Sequence, residues 1–408
     1  MARVGRFGEP GGGGASEMGI QIREDAIRKT GIDPLRTVDN SVYTPEAFDL
    51  ERERIFRKVW NFICHESEVR HTGDFVTREL AGESILVARD HAGTLRAYYN
   101  VCRHRGSMVV GEERGHCKTF RCPYHWWVYS LEGDLVNVPG VEAYDGTGFR
   151  MEDYGLVPVR VESVLGLVFV CLDPEAEPLT EHLGQEVIET LETPLALAEF
   201  EVFHTYRWPL RANWKGWAEN SRDGYHVPFV HPFFRKASPP REYRLLINGH
   251  AVQRLGMDPA GVGAELWEEI RRFPLPGVQE GDGYIAVLFP DVGITLRNNV
   301  VSIEGQVARA FDDCLFESRV LGLAGDSEEV RGVRRKSWEV WFNNPVSLED
   351  KPILENQQRG LQSRGVTTSL IARGPDSLTG VRGDDNRLRQ FWARWRQLMG
   401  RPSNSIRA

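Results

Sequence analysis

The spacing of apolar positions divides the chain into a short helix, a β-rich stretch and a mixed second half. Residues 44–63 place apolar side chains at roughly helical intervals, with Thr44 suited to an N-cap and Pro45 to the first helical position. After this helix, short apolar runs such as "DFVTREL" and "ESILVARD" are separated by turns that contain Gly, Asp or Glu-Gly. The run 159–173 predicts two further strands around Gly166. We therefore expect one mostly β region that ends near residue 173.

The second half of the chain mixes strands with longer helices. Composition shifts near residue 174, where Pro and Glu become frequent. Residues 283–311 predict strands of an antiparallel sheet, and residues 385–400 predict a closing amphipathic helix. The apolar side of that helix carries Leu388, Phe391, Trp392, Trp395 and Leu398. These patterns predict an α+β fold with three parts, namely a glycine-rich flexible N-terminal segment (1–40), a β-rich domain (41–173) and a second domain (174–408).

Composition and charge exclude several functions. The 408 residues carry a formal net charge of −8, whereas nucleic-acid binding needs a concentrated basic face. No apolar run approaches the roughly 18 residues of a membrane span, and the N-terminus lacks the apolar core of a secretory signal. We therefore expect a cytoplasmic protein without a nucleic-acid or membrane partner. In a reducing cytoplasm, neighbouring members of the six cysteines are expected to bind metal rather than to form disulfides.

Two short motifs each pair one cysteine with one histidine. Cys102-x-His104 is followed, after seventeen residues, by Cys122-x-x-His125. Two thiolates and two imidazoles bind either tetrahedral zinc or a Rieske [2Fe–2S] cluster, in which two histidines replace two cysteines on one iron. Zinc fingers usually group their cysteines in one pair and their histidines in the other, whereas each motif here supplies one of each. The alternation favours a two-iron cluster gripped by two loops.

A second pair of histidines, His226 and His231, follows in "DGYHVPFVH". A spacing of five residues places two side chains about 140° apart on a regular helix, which is poor geometry for one metal. Pro228 predicts that the helix ends near Val227, so that His231 can turn back beside His226. On that helix, Glu219, Asp223 and His226 are expected to share a face. Two histidines with an acidic neighbour suggest a two-His-one-carboxylate iron site.

The third ligand of such a site has several candidates. Asp223 is one, although it can instead hydrogen-bond a ring nitrogen of His226. The other source is "SLEDKPILENQQRG", in which Pro352 suits the first turn of a helix and places Asp350 near the N-cap. The spacing by itself favours a capping role for Asp350, and Glu349 or Glu355 would be nearly as good as ligands.

The two motifs together resemble a known family. "NVCRHRG…FRCPYHWWVYSLEGDL" and "NWKGWAENSRDGYHVPFVH" are similar, in order and spacing, to the large (α) subunit of Rieske non-haem iron aromatic-ring-hydroxylating oxygenases, over roughly residues 40–400. The spacing in "ENSRDGYH" and the closing "RQFWARWRQLM" resemble members that act on aromatic carboxylates, such as benzoate, salicylate and terephthalate oxygenases. Trp126 departs from the family, since many members carry a small residue after the second Rieske histidine.

The resemblance implies a Rieske domain over 41–173 and a catalytic domain over 174–408, the latter with an antiparallel sheet flanked by helices. It implies two cofactors, a [2Fe–2S] cluster and a mononuclear Fe(II), with O₂ as co-substrate. The implied cluster ligands are Cys102, His104, Cys122 and His125, and the implied iron ligands are His226, His231 and Asp350. Asp223 would bridge, for electron transfer, to a Rieske histidine of the neighbouring subunit in an α homotrimer. Asn220 flanks the implied iron site and is a further catalytic candidate.

The function that follows is oxygenation of a small aromatic compound, expected to be a carboxylate. The resemblance implies that electrons come from a separate reductase or ferredoxin, which is consistent with the lack of a nicotinamide-binding motif in the sequence. The product would be a cis-dihydrodiol or a hydroxylated ring, and a small β subunit is a possible partner. An acidic substrate would need a buried arginine, for which Arg309 and Arg394 are weak candidates because arginine is usually exposed. The alternatives are a Rieske monooxygenase or N/O-demethylase acting on a quaternary ammonium compound, and a simple Rieske electron carrier.

Overall fold

The computed structural model describes residues 37–234, 240–256, 263–371 and 385–400. Most of the N-terminal segment that the sequence predicts to be flexible therefore lies outside the described residues. Among the residues described, no helix combines the length and the apolar composition needed to cross a membrane. The chain opens with strand β1 (Thr37–Asp39), which pairs antiparallel with the last described strand, Thr368–Leu370.

The first half folds into two antiparallel sheets. The larger has seven strands in the order β2-β11-β10-β5-β4-β3-β6, and the smaller has three in the order β7-β8-β9. Their bounds are β2 Asn61–His65, β3 Asp74–Leu80, β4 Glu83–Arg89, β5 Leu95–Tyr99, β6 Arg114–His116, β7 Phe120–Arg121, β8 Val128–Tyr129, β9 Leu135–Asn137, β10 Pro158–Val164 and β11 Leu167–Cys171. Leu165 and Gly166 both adopt positive φ (54° and 80°) in the two-residue turn between β10 and β11. This is the turn chemistry that matches strand twist in hairpins, and it confirms the two strands predicted around Gly166.

The second half is built on another seven-stranded antiparallel sheet, ordered β12-β18-β17-β16-β15-β14-β13. Its strands are β12 Phe200–Leu210, β13 Pro240–Leu245, β14 Ala251–Gly256, β15 Asp282–Leu288, β16 Val292–Arg297, β17 Val300–Ala310 and β18 Asp313–Leu323, and Thr368–Leu370 is β19. The α-helices of the described residues are α1 Pro45–Glu51, α2 Leu179–Leu183, α3 Gln185–Leu195, α4 Trp214–Asn220, α5 Val227–Val230, α6 Ala264–Arg271, α7 Glu328–Trp338, α8 Lys351–Leu361 and α9 Asn386–Met399. Shorter 3₁₀ turns lie at Asn40–Tyr43, Glu66–Val69, Val141–Tyr144, Met151–Tyr154 and Ile247–Gly249. A β-rich first half followed by a sheet with helices confirms the predicted α+β fold.

Helices cover one face of the second sheet. Phe316 on β18 packs edge-on against Trp217 of α4, with ring centroids 4.7 Å apart. Two residues further along the same strand, Ser318 accepts a hydrogen bond from the indole of Trp338 at the end of α7 (3.2 Å). Residues two apart on a strand point to the same side, so these contacts identify the helix-covered face. The opposite face packs on α2 and α3 within a separate apolar core.

The predicted first helix begins as expected but is shorter than the predicted range 44–63, because helical structure ends at Phe56 and Asn61–His65 form strand β2. Thr44 caps α1 by accepting a hydrogen bond from the backbone N–H of Ala47, and Pro45 is its first residue. The helix then widens into a π turn over Arg52–Phe56. Val42 and Phe48, from this N-terminal region, share one apolar core with residues of α9. On the predicted apolar side of α9, Phe391, Trp392 and Trp395 are buried, and Leu388 and Leu398 are partly buried. The first residues of the predicted β-rich domain thus pack on the C-terminal helix of the chain.

A buried network of charged side chains joins the two halves. Arg319 on β18 lies 2.7 Å from Glu68, which follows β2, and 2.9 Å from Glu317. Arg78 on β3 approaches Glu317 at 3.7 Å. All of these side chains are at least nine-tenths buried. Breaking one buried ion pair costs several kcal/mol, so the network resists separation of the two halves.

Candidate metal centres

Two similar loops bring the first four predicted ligands together. Each loop is closed by the same hydrogen bond, from the backbone N–H of Gly106 to the carbonyl of Cys102 (3.0 Å) and from that of Trp126 to Cys122 (3.1 Å). Gly106 and Trp126 occupy equivalent positions and both adopt positive φ (74° and 59°). Glycine takes this conformation without strain, whereas tryptophan does so at a cost. The departure at Trp126 noted in the sequence therefore falls on a strained backbone position.

The side chains of the two loops form a compact donor set. The rings of His104 and His125 lie with centroids 4.5 Å apart, and the Nδ1 atom of each is buried without a hydrogen-bond partner among the described residues. Cys102 and Cys122 are buried and unbridged, and the Sγ atom of Cys102 lies 3.2 Å from the hydroxyl of Tyr129. Burial, together with His125 and Arg105, lowers the pKa of His104, which keeps its imidazole in the neutral form that binds metal. Two thiols and two orphaned ring nitrogens fit a cluster with two ligands of each type.

The residues around the two loops include several exposed basic side chains. Arg103, Arg105, Lys118 and Arg121 are exposed, in keeping with a solvated basic rim around the loops. Arg121 packs its guanidinium 4.6 Å from the ring of Trp126. Of the other cysteines, Cys64, Cys171 and Cys314 are buried core residues, and Cys117 is partly exposed.

The second predicted site begins with a correction to its helix. The sequence predicts a helix that runs to Val227, but α4 ends at Asn220, and the short helix α5 starts at Val227 with Pro228 in its first turn. Glu219, Asp223 and His226 therefore do not share a helical face. The Oδ1 atom of Asp223 accepts a hydrogen bond from the N–H of Tyr225 (2.6 Å), a side-chain turn that competes with helix formation.

The two histidines nevertheless meet, and an acid joins them. The rings of His226 and His231 lie with centroids 5.3 Å apart. The Oδ1 atom of Asp350 lies 3.6 Å from Nε2 of His226 and 3.0 Å from Nε2 of His231. One ligand atom from each of these three residues lies within 4.8 Å of the other two. Despite these short distances, Asp350 Oδ1 accepts no hydrogen bond of normal geometry from the described residues.

Two further carboxylates fix the orientation of the imidazoles. Asp223 Oδ2 lies 3.1 Å from Nδ1 of His226, and Glu349 Oε2 lies 2.6 Å from Nδ1 of His231. A proton on each Nδ1 leaves an Nε2 lone pair facing Asp350, so three electron-rich atoms converge. Burial acts to lower the pKa of His231, but Asp350 and Glu349 outweigh it and raise that pKa. The chemistry of this donor set, with carboxylates behind the histidines, fits a bound cation.

The position of Asp350 before Pro352 suggested that its side chain caps a helix. The structure shows no such cap. The backbone of Asp350 is already α-helical (φ −74°, ψ −46°) and its side chain makes no capping hydrogen bond. The polypeptide runs from α7 through π turns at Glu339–Asn343 and Pro345–Asp350 directly into α8. π turns inside helices often occur at functional sites because they redirect side chains.

The other acidic candidates lie away from the two Nε2 atoms. Glu355 accepts a hydrogen bond from the backbone N–H of Arg211 (3.2 Å), and Glu349 contacts the far side of His231. Asn220 is half-buried at the end of α4, where its carbonyl accepts from the N–H of Asp223 (3.3 Å). Asp350 is therefore the acid that the fold brings to both histidines.

The arginines considered for an acidic substrate are not in this site. Arg309 is exposed at the end of β17, and Arg394 is half-buried with its guanidinium donating to Gln397 (2.8 Å). A different arginine, Arg297, is buried on the helix-covered face. Its guanidinium lies 5.4 Å from the ring of Trp341, in the first π turn before Asp350. Sequence reasoning missed Arg297. The signal that could have found it is the strand alternation in "VGITLR", where Thr295 and Arg297 point to the face opposite to Ile294 and Leu296.

Comparison with known proteins agrees with both centres. Residues 59–157 match the Rieske [2Fe-2S] domain family, and residues 197–401 match the family "Ring hydroxylating alpha subunit (catalytic domain)". This chain is a Rieske-type ring-hydroxylating oxygenase α subunit. It therefore carries a Rieske [2Fe–2S] cluster and a mononuclear iron, uses O₂, and works with a separate electron donor.

Three relatives show the range of this family. The α subunit of 2-aminobenzenesulfonate 2,3-dioxygenase from Alcaligenes sp. is 35% identical over 91% of this chain and 95% of its own. The terminal oxygenase α subunit 2 of terephthalate 1,2-dioxygenase from Comamonas sp. is 30% identical over 88% of this chain and 94% of its own. The oxygenase subunit of carnitine monooxygenase from Escherichia coli strain K12 is 29% identical over 81% and 85%, respectively.

Proposed function

We propose that this ring-hydroxylating oxygenase acts on an aromatic acid, either a carboxylate or a sulfonate. The iron chemistry rests on the convergence of His226, His231 and Asp350, in which one carboxylate oxygen of Asp350 lies between two oriented imidazoles. The acidic substrate is supported by two relatives named for an aromatic sulfonate and an aromatic dicarboxylate. A buried arginine on the helix-covered face supplies a positive charge for such a group.

The residues divide into two ligand sets with distinct tasks. His226, His231 and Asp350 would hold the mononuclear iron on one side and leave its other positions open. Asp223 and Glu349 would keep both imidazoles in the tautomer that binds metal through Nε2. The cluster would be held by Cys102, His104, Cys122 and His125.

When bound, the cluster supplies single electrons and the mononuclear iron supplies oxygen activation. For dihydroxylation, one aromatic ring, O₂, two electrons and two protons give one cis-dihydrodiol, so both oxygen atoms enter the product. For monohydroxylation, one oxygen atom enters the ring and the other leaves as water. The protein contributes orientation of the ring and exclusion of competing reactions.

Asp223 is proposed as the bridge between the two centres across a subunit boundary of an α homotrimer. Burial acts to raise the pKa of Asp223, but its hydrogen bond with the ring of His226 outweighs burial and lowers that pKa, so the carboxylate is an anion. The exposed loops around the cluster are basic, which is complementary to this anion. In Asp223→Asn, the cluster should still be reduced by a surrogate reductase while turnover falls by at least about 100-fold. Iron content must be measured in parallel, and turnover at the wild-type rate would contradict the bridge.

The decisive experiment measures substrate-dependent O₂ uptake and product formation with a surrogate reductase. We expect uptake coupled to hydroxylated product with aminobenzenesulfonates, benzoates or terephthalate. A second candidate, N-demethylation or cleavage of a quaternary ammonium compound, is favoured by the carnitine monooxygenase relative. Coupled uptake with carnitine or betaine, and none with aromatic acids, would replace the proposal by this alternative. A colourless protein without a Rieske-type EPR signal after reduction would contradict both.

A further inference from the structure

One tyrosine outside the proposed ligand sets contacts a proposed cluster ligand. The Nδ1 atom of His104 is buried without a hydrogen-bond partner among the described residues, as expected of an atom that binds the cluster. The Nε2 atom, on the outer edge of the same ring, lies 3.4 Å from the hydroxyl oxygen of Tyr144. The proposed ligand sets give Tyr144 no role.

Tyr144 is held in this position by its backbone and by neighbouring rings. It ends a 3₁₀ turn, and its carbonyl accepts hydrogen bonds from the backbone N–H (3.1 Å) and the hydroxyl (2.6 Å) of Thr147. The ring of Tyr144 packs on Phe149, with centroids 4.7 Å apart, and edge-on against Trp127 at 6.3 Å. These contacts fix the ring, so that the hydroxyl is held beside Nε2 of His104.

The two histidines of the donor set have different surroundings. The ring of His104 stacks on the indole of Trp127, with centroids 4.8 Å apart and an angle of 7° between the planes. The ring of His125 instead contacts Tyr124 (3.7 Å), a side chain that is 60% exposed. No described residue forms a hydrogen bond with the imidazole of His125. Tyr144 therefore acts on one of the two imidazoles.

The direction of the hydrogen bond follows from the proposed ligand role of His104. A neutral imidazole that binds iron through Nδ1 carries its proton on Nε2, so this N–H donates to the hydroxyl oxygen of Tyr144. An acceptor at the outer N–H makes the ligand nitrogen more basic. A more basic ligand gives more electron density to the iron, which favours the oxidised cluster and lowers its reduction potential.

We propose that Tyr144 is a positioning residue that fixes the ring of His104 and lowers the reduction potential of the Rieske cluster. The hydroxyl oxygen of Tyr144 accepts a hydrogen bond from the Nε2–H group of His104, and the reduced cluster is thereby a stronger electron donor to the mononuclear iron. This inference rests on the proposed function, because it requires His104 to be a cluster ligand.

The test is the variant Tyr144→Phe, which removes the hydroxyl group and keeps the ring that packs on Phe149 and Trp127. A redox titration followed by EPR measures the midpoint potential of the cluster. At the midpoint potential of the wild type, the ratio of reduced to oxidised cluster should rise about 3-fold in the variant. For a one-electron couple, at about 59 mV per tenfold change, this corresponds to a positive shift of about 30 mV.

A second measurement separates a contact with one histidine from a general disturbance of the loops. In pulsed EPR of the reduced cluster, the hyperfine coupling of one histidine nitrogen should change in Tyr144→Phe, while that of the other should stay the same. Iron and acid-labile sulfide per chain should equal those of the wild type, because the hydroxyl group is not a ligand.

The matched control is Tyr154→Phe. Tyr154 belongs to the same group of rings, since it packs on Phe149 (4.9 Å) and edge-on against Trp127 (6.0 Å). Among the described residues, however, it is Tyr144 whose hydroxyl reaches the ring of His104. The midpoint potential of Tyr154→Phe should therefore equal that of the wild type.

An unchanged or lowered potential in Tyr144→Phe, or an equal shift in Tyr154→Phe, would overturn the role of Tyr144. Loss of the cluster in Tyr144→Phe would overturn it as well, since the hydroxyl group would then be needed to bind the cluster rather than to set its potential. A wild type without a Rieske-type EPR signal would instead contradict the proposed cluster ligands. If the wild type shows that signal and the potential does not move, only the role of Tyr144 fails.

Discussion

At the scale of single residues, Glu349, Asp350 and Glu355 have different roles. Their spacing in the sequence does not show which of them binds the iron. Asp350→Ala should remove the mononuclear iron and leave only the two irons of the cluster, because the third ligand of an otherwise two-His site is lost. Glu355→Ala is the matched control and should keep full iron, since Glu355 bonds the backbone of Arg211. Iron and acid-labile sulfide per chain distinguish the two variants. If the Asp350→Ala variant kept the iron content of the wild type, another residue would have to be the third iron ligand.

The sequence predicted the residue types of this site better than their roles. His226 and His231 were predicted to lie side by side, and their rings do. The spacing could not choose between Asp350 and Glu349, because the choice depends on how the π turn of Pro345–Asp350 rotates the backbone. A π turn follows from tertiary packing rather than from a periodic pattern.

At the scale of elements, Glu51 ties three helices together. Its carboxylate accepts hydrogen bonds from Trp214 (2.6 Å) and Lys215 (2.7 Å) of α4 and from Trp395 (2.7 Å) of α9. Glu51 and Lys215 are both fully buried. In Glu51→Gln the Lys215 cation loses its counter-charge, so the free energy of unfolding should fall by about 3–5 kcal/mol. This change is measurable from urea unfolding curves.

The matched control for this prediction lies two residues away in the adjoining π turn. Glu53 is exposed and pairs with Arg57 (3.2 Å). Exposed pairs of this kind contribute little, so Glu53→Gln should change the free energy of unfolding by less than about 0.5 kcal/mol. Equal effects of the two substitutions would show that the buried contacts of Glu51 do not stabilise the junction.

Element boundaries were predicted well where local chemistry sets them. Thr44 and Pro45 start α1 as expected, since capping depends only on neighbours in sequence. The helix before His226 was predicted six or seven residues too long, because the side chain of Asp223 forms a turn with Tyr225 that apolar periodicity does not reveal. The network joining the two halves was not predicted either, since its members lie far apart in the chain.

At the scale of the whole molecule, His65 links the stability of the fold to pH. Burial is the main cause that lowers its pKa to about 4, against the opposing charges of Glu68 and Glu66. In the unfolded chain a histidine has a pKa of about 6.5, so between about pH 6.5 and 4 the unfolded state binds more protons. The free energy of unfolding should therefore fall as pH decreases through this window, by up to about 3 kcal/mol. Nδ1 of His65 accepts the N–H of Ser67 (3.2 Å), which favours the neutral ring.

His65→Asn removes this titration while keeping an acceptor for Ser67. The thermal unfolding midpoint of each protein is measured from pH 7 to pH 4. The midpoint of the wild type should fall more steeply than that of the variant as the pH decreases. Parallel curves for the two proteins would assign the acid sensitivity to other groups.

The proposed trimer makes a prediction that no single chain can test. Chains with Asp350→Ala keep the cluster but lose the proposed iron site, whereas chains with Cys102→Ala lose the cluster but keep that site. A mixed trimer contains two chains of one variant and one chain of the other. In either case, one of its three subunit junctions joins an intact cluster to the intact iron site of the neighbouring chain. If electrons cross the subunit boundary at Asp223, co-expressed hybrids should recover about one third of wild-type turnover, since one junction of three is competent.

The two parent homotrimers are the controls for this experiment, and both should be inactive. Hybrids are isolated through a different affinity tag on each chain, and their turnover is compared with the content of cluster and mononuclear iron. Transfer within one chain would leave the hybrids as inactive as the parents, because each chain then lacks one of its two centres. Recovery that survives the addition of Asp223→Asn to the cluster-deficient chain would place the crossing elsewhere on the surface.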